Sequence, residues 1–181
     1  MNNKYRFCSD RNCYEIFFSD GSCFFIDPDD FQRVSEHSWS HGKRGYPIYH
    51  TSRGSSEGQK AIPLHRFLMH PPDNIDVDHI SGDKLDNRKC NLRLCSHQQN
   101  MFNQKKRETN TSGFMGVSQH SCGRFEAYVH KIGKKHYLGL YDTAELAARV
   151  RDKAAQELYG IYAKLNYPRE KPSYEICAYT V

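Results

Sequence analysis

No stretch of the chain approaches the roughly 20 consecutive apolar residues that a membrane-spanning helix needs. A secretory signal is also absent. The opening residues MNNKYRFCSDRNCYEIFF contain no basic region followed by an apolar block and a small-residue cleavage site, so a host-cell interior, such as the cytoplasm, is the expected address. Cysteine is present, but its number is odd: seven, unevenly spaced. That excludes a fully paired disulfide framework and points to free thiols in a reducing compartment. Cys90 and Cys95 are five apart, as are Cys8 and Cys13, which is looser than zinc-binding pairs usually are. Small buried thiols are the expected reading. Tryptophan occurs once, at Trp39.

Charge is nearly balanced overall, with 26 Lys and Arg against 21 Asp and Glu. Its distribution is uneven. Residues 1–60 hold eight of each sign, whereas residues 105–135 hold seven basic side chains against Glu108 and Glu126. A basic middle beside a neutral start suggests a polyanion bound by one region. Charge alone fits a solvated surface equally well.

The residues 1–60 read as a β-rich layer. YEIFFSDGSCFFID places two apolar runs around Ser19-Asp20-Gly21-Ser22, a hairpin signal. Trp39 and Tyr46 are expected to fill the core beneath it. In residues 61–104, AIPLHRFLMH runs to Pro71-Pro72, NIDVDHI alternates like a half-buried strand, SGDKLDNRKC is turn-rich, NLRLC is a second strand and SHQQNMFNQKK a helix. Residues 105–110 read as a linker. Residues 111–166 give three strands, FMGVSQH, RFEAYVHKI and KKHYLGLYD, then a helix capped by Asp142 or Thr143 and ended by Gly160. Its expected apolar face is Ala147, Val150, Ala154 and Leu158. Residues 167–181 form a tail. The fold class is α+β, with a three-stranded antiparallel sheet packed on one helix at its C-terminal end.

The window VDHISGDKLDNRKCNLRLCSHQQN, residues 77–100, combines a carboxylate, an imidazole and several amides. Phosphodiester hydrolysis calls for that mixture. A neutral histidine takes a proton from water near working pH. A hard divalent cation, bound by carboxylate and amide oxygens, neutralises charge on the phosphate and the leaving oxygen. His79 is the candidate base, Asp78 and Asn100 the candidate oxygen ligands, and the Asn91 amide a partner that could aim the imidazole. Asn87, beside Asp86 in a turn, is expected only to brace the loop. Adjacent residues of a regular strand face opposite ways, so Asp78 and His79 serve one phosphate only where the strand ends or twists.

The run LHRFLM…VDHISGDKLDNRKCNLRLCSHQQN resembles the HNH nucleases, the ββα-metal or His-Me finger fold common in homing endonucleases. Asp78-His79, Asn91 twelve positions after the histidine and Asn100 nine further on carry the resemblance. It implies His79 as general base, Asn91 as its orienting residue, and Asp78 with Asn100 as ligands of one divalent ion, magnesium first and manganese as the alternative. His65-Arg66 resembles a family pair, with Arg66 either meeting a phosphate or structural. His97 is a second-choice ligand.

The segments SGFMGVSQH, GRFEAYVHKIGKKHYLGLYDTAELAARVRDKAAQELYG and AKLN resemble the plant apetala-type, or ethylene-response-factor, DNA-binding domain. The resemblance implies a sheet lying in the major groove of double-stranded DNA with the helix behind it. Alternation independently assigns Phe125, Ala127 and Val129 to one face, and Arg124, Glu126, Tyr128 and His130 to the other. In the next strand it sets His136, Leu138 and Leu140 against Lys135, Tyr137 and Tyr141. Arg124 is the candidate base reader, Lys131, Lys134 and Lys135 hold phosphates, and Tyr128, His130 and Tyr137 complete the surface. The expected protein is therefore a metal-dependent DNA endonuclease with a tethered recognition module. A non-catalytic DNA-binding regulator and an RNA-directed protein are the rival readings. The residues report no oligomeric state.

Overall fold

A computed structural model of the chain describes residues 3–52, 58–102, 110–131 and 133–168. Most of the expected linker, residues 105–109, and the tail beyond residue 168 lie outside the described residues. The chain divides into two compact units, Met1–His97 and Gln98–Val181. It is mixed helix and strand, an α+β fold of small antiparallel sheets.

The first unit opens with a three-stranded antiparallel meander, β1 (Tyr5–Cys8), β2 (Cys13–Phe17) and β3 (Cys23–Ile26). The β2–β3 connection is the expected hairpin. Gly21 adopts φ of 86°, a conformation that costs glycine little, and its N–H bonds Phe18 O. A short helix α1 (Phe31–Ser35) follows. Then β4 (Ser40–His41), β5 (Pro47–His50) and β6 (Ala61–Pro63) make a second sheet. Helix α2 (Leu64–Met69) stops at His70, in left-handed conformation, just before Pro71-Pro72. The hairpin pair β7 (Ile75–His79) and β8 (Leu92–Ser96) completes the unit.

One core holds these pieces together. Ile16, Phe18, Phe24, Ile26, Val34 and Trp39 pack with Leu64, Leu68, Val77 and Leu92, so the N-terminal layer and the hairpin share a single buried cluster. Trp39 sits there as expected, its indole N–H donating to Val34 O at 2.8 Å. Tyr46 does not fill this core. It is half-buried and faces two imidazoles instead.

Helix α3 (His97–Phe102) follows β8 directly, and from Gln98 onward the chain belongs to the second unit. That unit has the antiparallel sheet β9 (Val117–Gln119), β10 (Phe125–Lys131) and β11 (Lys134–Tyr141), in the order β11-β10-β9. Helix α4 (Ala144–Tyr159) covers one face. Thr143 is its cap, its hydroxyl accepting from Leu146 N, and Gly160 ends it. The buried stripe is Ala144, Ala147, Ala148, Arg151, Asp152 and Ala155, a rotated version of the expected face. Leu158 is exposed. Small side chains let the helix approach closely. Gly116 shows how closely: a Cβ there would meet Tyr128 O at 2.5 Å and Arg151 Cγ at 2.8 Å.

The cysteines Cys8, Cys13, Cys23, Cys90, Cys95 and Cys122 are free thiols. No helix among the described residues is long and apolar enough to cross a membrane.

Candidate active site and nucleic-acid interface

Strand β7 ends at His79. The turn after it is closed by Gly82 N–H donating to His79 O at 2.8 Å. Asn91 holds this turn from the other side of the loop. Its main-chain oxygen accepts from Ile80 N at 2.8 Å and its Oδ1 from Ser81 N at 2.9 Å. Its amide nitrogen donates to Asp86 O at 2.7 Å. Asn91 therefore fixes the backbone just past His79 and does not bond the imidazole.

The amide on the imidazole belongs to Asn87. Its Oδ1 lies 3.2 Å from His79 Nε2, and its Nδ2 donates to Lys84 O at 3.1 Å. The second bond sets the amide's orientation, so the oxygen faces the ring. The His79 Nε2 then carries the hydrogen, and the neutral ring keeps its lone pair on Nδ1. Asn87 is fully buried. Its loop is laid along β3: Phe25 N donates to Leu85 O at 2.8 Å, and Asn87 N to Phe25 O at 2.9 Å. Asn87 was expected only to brace a turn. It does that and also orients the histidine.

His79 is 4% exposed, and burial pulls its pKa below the ordinary imidazole range. The Asn87 bond and then the Asp78 charge act in the opposite direction without outweighing it. His65 packs edge-to-face on it, ring centroids 5.1 Å apart. Burial first, then the neighbouring His79 and Arg66, push the His65 pKa down to about 3. Both rings are neutral at ordinary pH. Tyr46 closes the group, 4.7 Å from His65 and 5.7 Å from His79, with Lys84 Nζ 4.6 Å over its ring.

Asp78 is buried and pairs across the ladder with Arg93, as His79 does with Leu92. The ladder therefore runs to His79, where the strand ends, and Val77, Asp78 and His79 are all buried there. Arg93 donates from Nε at 2.9 Å and Nη2 at 2.6 Å, both to Asp78 Oδ2. Arg66 donates Nη1 to Ile75 O at 3.1 Å, tying α2 to the start of β7. His97 Nδ1 lies 3.0 Å from Asp76 Oδ2. Asn100 lies on α3 and is half-buried. Among the described residues no group of three or more His, Cys, Asp or Glu is arranged to hold a metal. Asp78 offers a carboxylate oxygen, a donor type that a hard dication takes.

In the second unit, strand register sorts the predicted interface. Tyr128 pairs with Tyr137, His130 with Lys135 and Glu126 with Leu140, so these six share the face away from α4. A bulge between Ala127 and Tyr128 shifts the phase of β11 by one residue. Leu140 consequently lies on the open face. Tyr141, expected there, pairs with Phe125 and packs into the α4 core. Lys135 Nζ bonds Glu126 at 2.8 Å and sits 4.4 Å over the Tyr128 ring. Lys134, His130 and Tyr137 are exposed. Arg124 is half-exposed, with Nε 2.9 Å from Asp142 and Nη2 donating to Leu140 O at 3.2 Å. The Lys131 side chain lies outside the described residues.

A buried histidine bonded by an amide thus ends the first strand of a ββ hairpin that a helix follows, the order of elements expected of a ββα nuclease. Family comparison agrees: residues 69–102 match the model of an HNH endonuclease family. A mimivirus protein from Acanthamoeba polyphaga mimivirus, an uncharacterized HNH endonuclease, is 35% identical over 152 residues, covering 81% of this chain and 75% of its own. The chain belongs to the HNH endonuclease family. Its C-terminal part is similar to an ethylene-responsive transcription factor of Arabidopsis thaliana, 46% identical over 65 residues, or 35% of this chain and 25% of that protein. It is also similar to an APETALA2-like protein of Oryza sativa subsp. indica, 46% identical over 70 residues, or 38% of this chain and 16% of that one.

Proposed function

We propose that this HNH endonuclease hydrolyses phosphodiester bonds of double-stranded DNA in a divalent-metal-dependent reaction, with its C-terminal sheet supplying target recognition. The observation that carries the reading is the His79–Asn87 pair: a buried imidazole held neutral, with one tautomer selected. His79 takes the proton of the attacking water at Nδ1. Asn87 stabilises the imidazolium through Nε2–H, and Asn91 keeps the turn, and so the ring, in place. Asp78 and Asn100 would hold magnesium, or manganese in its stead. The ion supplies charge neutralisation at the phosphate and leaving oxygen. General-base catalysis of this kind is worth about 10² to 10⁴ in rate.

Residues 61–104 form the nuclease core in this reading, and 111–166 the recognition module. Tyr128, Tyr137, His130, Lys134 and Lys135 face the duplex. Lys131, paired with Lys134 at the tip of the β10–β11 hairpin, joins them from that end, and Arg124 from just before β10. Arg66 ties α2 to β7 and does not meet the phosphate. The linker at 105–110 keeps the cutter near bound DNA by raising its effective concentration. A homing-type role rests on motif resemblance alone. A supercoiled plasmid incubated with the full chain, in magnesium or in chelator, tests the proposal. Nicked or linear product should form only with magnesium. Equal cutting in chelator would overturn metal dependence, and intact plasmid in both would overturn the activity.

A further inference from the structure

Asp78 is the carboxylate assigned to the ion, and it is buried. A carboxylate removed from water needs a partner. Here the partner is built into the hairpin: Arg93 stands directly opposite in the β7–β8 ladder and directs Nε and Nη2 onto the same oxygen, at 2.9 and 2.6 Å. A guanidinium carries a fixed positive charge. A dication approaching Asp78 meets this fixed positive charge. Both cations seek the same oxygen, and like charges at such range repel. The Arg93 side chain is 15% exposed and long, so it can turn outward. The group that would draw it outward is a phosphate, whose geometry a guanidinium matches in bidentate fashion.

We propose that Arg93 is an exchangeable cation: it occupies Asp78 before substrate arrives, and moves to a non-bridging oxygen of the target phosphate when Asp78 takes the metal. The proposal deepens the metal-dependent reading above and rests on it. Its consequence is coupling. Without DNA, Arg93 weakens metal binding. With DNA, the phosphate takes Arg93 and metal binding strengthens. By reciprocity the metal strengthens DNA binding by the same factor.

The test uses the full chain and two binding measurements, neither of which is activity. Manganese binding is measured by calorimetry, alone and with an uncleavable duplex. Duplex binding is measured by anisotropy in chelator. Arg93→Met should bind manganese about tenfold more tightly than the native chain without DNA, and should lose the gain that duplex gives. Asp78→Asn removes the charge that holds Arg93. It should therefore bind duplex more tightly in chelator, with a salt dependence steeper by about one phosphate contact. Arg93→Met that is folded and binds manganese no better than the native chain overturns the proposal. If that variant does not fold, Asp78→Asn decides: duplex affinity in chelator equal to or below native overturns it. Native manganese binding that Asp78→Asn leaves undiminished refutes the ion assignment itself, a different failure with a different signature.

Discussion

The Nε2 of His79 lies 3.2 Å from Oδ1 of Asn87, whose own N–H is bonded to Phe25 O in β3 at 2.9 Å. The candidate base is thus tied through one residue to the N-terminal sheet. That sheet is part of the site's support rather than an appendage to it.

Asn87→Ala should lower single-turnover cleavage by about 10- to 100-fold, the usual cost of losing a residue that orients an active group. Duplex affinity should stay within a factor of about two, since Asn87 is fully buried. Unchanged cleavage would show that the pair does not orient the base.

Asn91→Ala removes the side-chain bonds to Ser81 N and Asp86 O. Urea unfolding should show a loss of about 1–3 kcal/mol. Cleavage should fall with it, because the turn carrying His79 loosens. Full stability with lost cleavage would instead make Asn91 a direct partner in the chemistry.

His65 gives a stability effect with a definite sign. In the unfolded chain it takes a proton below about pH 6.5. In the folded chain burial withholds that proton until about pH 3. Between these values the unfolded state binds more protons, so stability falls as pH drops. The limiting slope is about 1.4 kcal/mol per pH unit. His65→Phe should flatten the difference between urea midpoints at pH 6.5 and pH 5. An identical pH dependence in the variant would contradict the buried neutral ring.

Lys135 tests the open face of the C-terminal sheet. Its Nζ is posed over Tyr128 and bonded to Glu126. Lys135→Ala should weaken duplex binding about equally across sequences and reduce the salt slope by about one. An unchanged slope would place the duplex elsewhere.

Local signals made much of this fold legible. The turn at Gly21, the Pro71-Pro72 stop, the strand in NIDVDHI and the helix cap at Asp142 or Thr143 each depend on residues close in sequence, and each appears where expected. Two features depended on distant partners and were misplaced. Asn87 and Asn91 look equivalent in a polar loop, and only the approach of Phe25, some sixty residues earlier, turns Asn87 onto the ring. Strict alternation placed Tyr141 outside, but the bulge in β11 at Leu138 moved it into the core and left Leu140 on the open face. The α4 stripe shifted for a related reason: Arg151 and Asp152 are buried as a pair, with Asp152 accepting from Asn166 and Tyr167 and Arg151 donating to Lys164 O. Apolarity alone does not mark such residues as interior.

The central claim is that His79 activates the attacking water. Single-turnover cleavage and duplex affinity of His79→Ala, measured side by side in magnesium, test it most directly. Cleavage should fall by about 10² to 10⁴ while affinity remains near native. Cleavage within a few-fold of native in the folded variant would contradict the account.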